Sequence, residues 1–183
     1  MRLADYFRRI GYDGGVEPDL ETLTGVHRAH LLAVPYENID VALRRPVTRD
    51  PAAAFDKIVT RGRGGWCYEM NGLLGWALEE IGFPSRAWPG GVGRATFGDE
   101  SVGNHLVLRV DLDRPYIADV GFGDGFLSPS RWRKASTRSA GSPSGWKNSM
   151  RIGGGCTIIS TARRRPSILS MSPATLPART LVP

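Results

Sequence analysis

The sequence predicts an α+β protein, with a helical bundle over residues 1–83, a β unit over 84–129 and a basic tail over 130–183. Three observations carry that reading. Up to Ile81 apolar residues recur at steps of three and four, the spacing of one helix face. After Pro84 the period falls to two, as in Asn104–Val110 (NHLVLRV), which is the spacing of a half-buried strand. From Leu127 onward neither period lasts, and Arg, Ser, Pro and Gly dominate.

The helical elements come first. Ala4–Ile10 is a short amphipathic helix with Tyr6, Phe7 and Ile10 on its apolar side, stopped by Gly11. Asp19 caps a longer helix, Asp19–Val34, whose expected buried face is Leu20, Leu23, Val26, Leu31 and Val34. His27 and His30 lie on it three residues apart, where a zinc-binding helix needs four, and no third ligand is evident. They read as ordinary helix residues. Pro35 ends that helix, and Pro35–Arg49 is expected to be extended, with Glu37, Asn38 and Asp40 as a small polar cluster. Asp50-Pro51 then opens a helix reaching about Thr60, by an N-cap and a first-turn proline.

The chain is organised around Arg61–Ile81 (RGRGGWCYEMNGLLGWALEEI). Its front half is glycine-rich; its back half carries Met70, Leu73, Leu74, Ala77, Leu78 and Ile81 as one apolar stripe, closed by Gly82 and Pro84. Cys67 sits at the junction, three residues before Met70 and therefore on the inward face. The unpaired N–H groups and dipole of a helix N-terminus favour thiolate over thiol, so this is one way to place a sulfur nucleophile. A buried structural cysteine fits the same position. RGRGG has the glycines of a phosphate loop without its Gly-Lys-Ser/Thr ending, so it is not read as a nucleotide site.

The β unit opens with Ser85–Phe97, read as strand and turn. Next comes a hairpin of NHLVLRV and Tyr116–Phe122 (YIADVGF) about the turn Asp111–Pro115. Leu106, Leu108 and Val110 face one way and His105, Val107 and Arg109 the other, while Ile117 and Asp119 share a face. Such a hairpin can bring His105 and Asp119 together at the cross-strand spacing of roughly 4.5–5.5 Å.

Composition bounds the setting. A hydrophobic content of 41% suits a packed core, no apolar run approaches a membrane span, and MRLADYFRRI mixes acid and base without a signal-peptide core. Two cysteines 89 positions apart are no disulfide framework, so a soluble cytoplasmic protein with reduced thiols is expected. The net charge of +6 divides unevenly. Leu127–Pro183 holds ten Lys or Arg and no acid, while residues 1–126 hold the other 14 basic residues and all 18 acidic ones, a net of −4. One reading of the tail is a disordered basic extension. The favoured one is translation from a shifted frame. Trp146-Lys147-Asn148 is encoded TGG-AAR-AAY, and one base earlier the same letters give Glu and then Glu or Lys. Met150-Arg151 likewise yields Ala or Glu, so the missing acids reappear one frame over.

Cys67, His105 and Asp119 are the candidates for chemistry. Thiol catalysis needs a sulfur nucleophile, a base that also shuttles a proton, and a carboxylate that fixes the imidazole tautomer. The local strings sharpen this reading. Val34–Val41 (VPYENIDV), Arg63–Asn71 (RGGWCYEMN), Asn104–Leu108 (NHLVL) and Asp119–Gly123 (DVGFG) together resemble the arylamine N-acetyltransferases, in that family's order and at its approximate separations.

The resemblance covers residues 1 to about 129 and implies a three-part architecture of helical bundle, β-barrel and α/β lid, on a core shared with cysteine proteases and transglutaminases. It implies transfer of an acetyl group from acetyl-CoA to arylamines, arylhydroxylamines and hydrazines without a metal. Cys67 would carry the acetyl group, with His105 as base and Asp119 as orienting carboxylate. The acceptor pocket would map onto Tyr36, Val92 and Phe122. Apart from the resemblance, an acyl-enzyme that must meet an amine before water calls for a dry, aromatic-lined slot, for which Tyr36, Trp66 and Phe122 are candidates, Trp66 fitting a core aromatic equally well. Arg63 would tie the loop before the cysteine to Glu37 and Asp40. The recognisable text stops near Pro129, so the expectation is a partial barrel with open strand edges and no lid domain.

Three other readings stand beside it. One is a different thiol enzyme with the same triad, a hydrolase or a transglutaminase-like protein. Another is an inactive, pseudogene-like product. The last is a nucleic-acid binder acting through the tail's charge, against which the tail offers little aromatic interleaving; no specific nucleic-acid partner is expected.

Overall fold

The computed structural model describes residues 1–123, 126–132, 149–152 and 156–159. Six helices and a six-stranded antiparallel sheet are built from them. Helix α1 spans Leu3–Ile10 and ends at Gly11, whose φ of 68° is the left-handed cap that favours glycine. Asp5 accepts from both Arg2 and Arg8 on its outer side, while Tyr6 and Ile10 are buried. Arg9 crosses to the carbonyls of Ile58 and Ala33, tying three helical segments together. Helix α2 (Leu20–Ala33) starts where Asp19 accepts from the Thr22 N–H at 2.8 Å. Its buried side departs from the expected one. Leu20 is exposed, and His27 and His30 take places on the inner face beside Leu23 and Val26.

Pro35–Arg49 is not wholly extended, because Ile39–Ala42 closes one turn, helix α3. Helix α4 (Pro51–Phe55) begins with Asp50 accepting from the Ala52 N–H and continues as a π-helical turn, Asp56–Thr60. Helix α5 (Cys67–Ile81) is the core of the molecule. Every residue from Cys67 to Leu78 is buried, so the stripe legible in the sequence understates it: the helix is covered on all sides.

The sheet wraps one side of α5. Its strands are β1 (Ser85–Val92), β2 (Val102–Asp111), β3 (Pro115–Ala118), β4 (Ser130–Arg131), β5 (Ser149–Ile152) and β6 (Cys156–Ile159), in the order β4-β3-β2-β1-β6-β5. Between β1 and β2 lie a helical turn, α6 (Arg94–Phe97), where the sequence reading had only strand and turn, and a short 3₁₀ turn, Gly98–Ser101. Leu108 and Val110, with Tyr116 and Ala118, join the main core with α5. Val107 and Ile117 form a second cluster on the opposite face, packed with Trp88, Val92, Phe122 and Trp132. Both faces of the hairpin are therefore covered, which simple alternation of apolar and polar residues does not anticipate.

Two features concern the expected boundaries. β3 stops at Ala118, so Val120 and Phe122 belong to a loop rather than to the expected strand over Tyr116–Phe122. Ser130–Arg131 pair with β3, Trp132 donates its N–H to the Pro115 carbonyl, and β6 pairs with β1 through Gly90↔Ile158. The sheet thus draws strands from the basic stretch beyond residue 129. The rest of that stretch, including Lys147 and its neighbours, lies outside the described residues. Among the described residues no helix is long and apolar enough to cross a membrane.

A core this tightly organised around α5 predicts a sharp contrast between two leucines. Leu74→Ala should lose about 2–5 kcal/mol in urea unfolding, because it leaves a cavity. Leu32→Ala, at a side chain 68% exposed, should stay within about 0.5 kcal/mol of wild type. Equal losses at the two positions would contradict the burial described.

Candidate active site

Cys67 is the first residue of α5 and is buried, with Sγ 4.0 Å from the Asn104 carbonyl of β2. The glycines before it serve close packing. A Cβ on Gly64 would stand 2.1 Å from the Pro35 carbonyl oxygen, and one on Gly65 would meet Ile58 at 2.9 Å. The Gly65 N–H donates to the Pro35 carbonyl and the Glu37 N–H to the Gly65 carbonyl, forming a one-rung parallel bridge. Glu69 accepts from the Trp66 N–H at 3.2 Å, the returning half of a capping box; the Trp66 indole has no acceptor with which to supply the other half. The Tyr68 hydroxyl donates to the Gly103 carbonyl, so the start of α5 is pinned to the start of β2.

His105 and Asp119 are brought together, though not as direct cross-strand partners. The register Leu108↔Ala118 would place Asp119 opposite Val107. The contact is diagonal, and it forms because the chain leaves the strand after Ala118. His105 Nε2 lies 2.7 Å from Asp119 Oδ2 in a buried pair. The other carboxylate oxygen accepts from Asn71 Nδ2 at 2.8 Å and from the Gly121 N–H at 3.0 Å. Asn71 spends its second amide hydrogen on the Leu106 carbonyl at 2.6 Å and accepts from the Val120 N–H at 2.9 Å. One asparagine therefore joins α5, β2 and the 119–121 loop with its hydrogen-bonding capacity well used.

Gly121 is where that loop passes over Cys67. A Cβ there would stand 2.6 Å from the Cys67 Cα and 2.9 Å from Asn71 Nδ2, so no larger residue fits. His27 Nε2 lies 3.2 Å from both the N and the O of the Asp119 main chain, a contact the sequence reading missed.

Burial works against charge on the His105 ring, but hydrogen bonds to Asp119 and Cys67, with their negative charge, outweigh it and raise its pKa to about 10. The ring is thus an imidazolium at neutral pH, one nitrogen on the carboxylate and the other left for the sulfur. His27 and His30 move the opposite way. Desolvation lowers them to about 4 and about 3, so both are neutral in the fold.

A second charged group holds the other side of the Cys67 loop. Lys57, buried in the π-helical turn, sits 2.7 Å from Glu69, 3.1 Å from Asp40 and 3.4 Å from Glu37. Arg63 reaches the same Glu37 and Asp40 at 2.7 and 3.0 Å. The hydrogen bond from Lys57 holds Asp40 down at about 2. The sequence reading named Arg63, Glu37 and Asp40 but not Lys57 or Glu69, which complete the set.

The expected acceptor-pocket residues are spread around this centre. Phe122 stands edge-on to the His105 ring at 5.5 Å between centroids, and Val92 packs with Phe122 in the outer cluster. Tyr36 is half-exposed on the bridge to Gly65, its phenol raised to about 12 by burial and by the charge of Cys67. Trp66 packs tilted against Tyr68, at 4.9 Å between centroids, within the small cluster around Cys67. Among the described residues no group of His, Cys, Asp and Glu side chains is arranged to hold a metal ion.

A thiol at a helix start, an imidazolium beside it and a buried carboxylate behind that are the groups that thiol-dependent acyl transfer or hydrolysis needs. The comparisons narrow the class. The family model described as N-acetyltransferase matches residues 19–144. The arylamine N-acetyltransferase of Mycolicibacterium smegmatis is 46% identical over 138 residues, 72% of this chain and 50% of the relative. The pineal gland isozyme NAT-3 of Gallus gallus is 43% identical over 128 residues, 67% of this chain and 43% of the relative.

Among solved structures, the Salmonella typhimurium arylamine N-acetyltransferase aligns with a TM-score of 0.66 at 37% identity, over 75% of this chain and 51% of its own. The Mycobacterium marinum enzyme in complex with CoA aligns with a TM-score of 0.70 at 29% identity, over 90% of this chain and 67% of its own. The chain belongs to the arylamine N-acetyltransferase family, and it spans about half the length of the curated relatives it matches.

The histidines make the stability of this site depend on pH with a defined sign. His105, raised above its ordinary value of 6.5, contributes stability that is complete below pH 6.5 and is lost as pH rises through about 10. His27, lowered to about 4, contributes above pH 6.5 and loses it as pH falls through 4. Urea midpoints should therefore decline on both sides of pH 6.5. His105→Gln should flatten the alkaline limb alone. An alkaline limb identical in the variant would show that His105 holds no extra proton in the fold.

Proposed function

We propose that this chain carries the chemistry of acetyl transfer from acetyl-CoA to the nitrogen of an arylamine, arylhydroxylamine or hydrazine, in two half-reactions through an acetyl-Cys67 intermediate. The observation that supports it best is the buried His105–Asp119 pair at 2.7 Å beside Cys67, in a chain of this family. In the first half-reaction the Cys67 sulfur attacks the thioester carbonyl. The bond from the acetyl carbon to the CoA sulfur breaks, and His105 gives its proton to the leaving thiolate. In the second, the acceptor nitrogen attacks the acetyl carbon, His105 takes the nitrogen's proton, and Cys67 leaves as thiolate to restart the cycle.

Asp119 holds the ring in the required tautomer and offsets its positive charge throughout. Its own second oxygen is committed to Asn71 and Gly121, so it cannot swing away. Phe122, Val92 and Tyr36 would form the apolar slot for the acceptor ring. Such a slot also favours amine over water as the second nucleophile.

The test is intact-mass analysis after incubation with acetyl-CoA and no amine. One acetyl group per chain, mapped to Cys67 and released as product when an arylamine or hydrazine is added, is the expected result. Continuous acetate release without any amine would instead identify a thiol hydrolase. Cys67→Ser should abolish labelling, since a serine hydroxyl has no comparable anionic form at neutral pH. Asp119→Asn should cut turnover by more than tenfold, because an amide holds the wrong tautomer. Serine retaining the wild-type rate, or asparagine costing less than tenfold, would overturn these roles.

A further inference from the structure

Arg49 is a half-buried guanidinium with no counterion among the described residues. Several other arginines of the molecule have partners. Arg45 pairs with Asp40, Arg63 with Glu37 and Asp40, and Arg9 donates to backbone carbonyls. Arg49 instead lies over the Tyr68 ring, its Cζ 4.6 Å from the ring centroid. Its Nε is closed off from solvent and donates to no acceptor among the described residues. A buried N–H without an acceptor is costly, and one on a charged group more so, which points to an acceptor that arrives from outside.

The setting ties this unused donor to the reactive sulfur. Tyr68 follows Cys67 directly; its hydroxyl donates to the Gly103 carbonyl, and Cys67 Sγ faces the carbonyl of the next residue, Asn104. The ring that carries Arg49 and the sulfur thus lie along the same two residues of β2. The charges of both Arg49 and Cys67 act on the Tyr68 phenol, which burial holds above its ordinary range. Trp66 packs tilted against Tyr68, at 4.9 Å between centroids, and its indole Nε1 is likewise buried without an acceptor among the described residues. Two unused N–H donors, one of them cationic, therefore flank a single aromatic ring beside Cys67.

We propose that this corner is an oxyanion-binding subsite, in which Arg49, braced on Tyr68, receives a carboxylate or phosphate oxygen of a ligand whose reactive end reaches Cys67, with the Trp66 indole as second donor. The subsite rests on the reading of Cys67 as the reacting atom. Two sources supply the same chemistry: a carboxylate on the aromatic acceptor, or the phosphates of the acetyl donor. A planar fork on an aromatic face suits either, since guanidinium binds such oxygens through two parallel N–H groups and keeps its stacking contact.

The test compares alkylation of Cys67, read by peptide mass, with iodoacetate and with iodoacetamide, which differ mainly in charge. In the wild type the anionic reagent is favoured relative to the neutral one. Arg49→Met should lower the iodoacetate-to-iodoacetamide rate ratio by about tenfold. Arg49→Lys, which keeps the charge but not the fork, should lower it by less; it also answers the question if the methionine variant fails to fold.

Protection of Cys67 from iodoacetamide separates the sources. A loss of protection by CoA but not by pantetheine in the variant assigns the phosphate. A loss for 4-aminobenzoate but not for aniline assigns the carboxylate. An unchanged reagent ratio with both protection pairs unaffected overturns the subsite. Acetyl labelling of the wild type by acetyl-CoA is scored on the same samples. Labelling without any Arg49 effect removes the subsite and leaves acetyl transfer standing, and the reverse pattern does the opposite.

Discussion

The structure turns on one buried carboxylate. Asp119 sits in the interior, where an ionised group without partners costs several kcal/mol, and both of its oxygens are occupied: one by His105, the other by Asn71 and the Gly121 N–H. Those partners come from β2, α5 and the loop after β3. To supply them β3 must end at Ala118, the loop must turn over the start of α5, and residue 121 must lack a side chain. His27, held neutral by burial, meets the Asp119 main chain from α2. The order of the site and the packing of bundle against sheet are one arrangement, so a change to either is felt in both.

A second constraint works from the opposite side of Cys67. Lys57 and Arg63 bring three carboxylates from α3, its approach and α5 to one place, and Glu69 belongs both to this group and to the cap of α5. Buried pairs of this kind contribute little net stability compared with apolar packing, but removing one partner is costly. Their effect here is geometric. They hold the RGGWC loop flat against Pro35, where Gly64 and Gly65 leave room for nothing but backbone. Cys67 is thus clamped between an ionic group before it and a hydrogen-bonded group behind it.

Much of this was legible in the sequence, for local reasons. Asp19 and Asp50 are caps by residue type and position, the stripe from Met70 to Leu78 marks a core helix, and the Leu106–Val110 alternation marks a strand. Cys67, His105 and Asp119 stood out because each sits in a distinctive string. Long-range compensation was not legible. Nothing local says that His27 meets a backbone 92 residues away, or that Lys57 is buried among acids. Asn71 left a signal that went unused: it stands four residues after Cys67, one turn along the same face of the helix. The covering of the hairpin's outer face by Trp132, across a compositional boundary, was likewise invisible to periodicity.

The central claim is that the Asp119–His105 unit is fully formed in this chain, although it spans only about half the length of its relatives. Nitrogen-15 NMR of the imidazoles, with His105→Gln to assign the resonance, reads that directly. The His105 ring should stay an imidazolium through neutral pH and titrate near 10, held by Asp119 and the Cys67 sulfur. A His105 resonance titrating near the ordinary 6.5 would mean instead that the carboxylate and the ring are not joined in this chain.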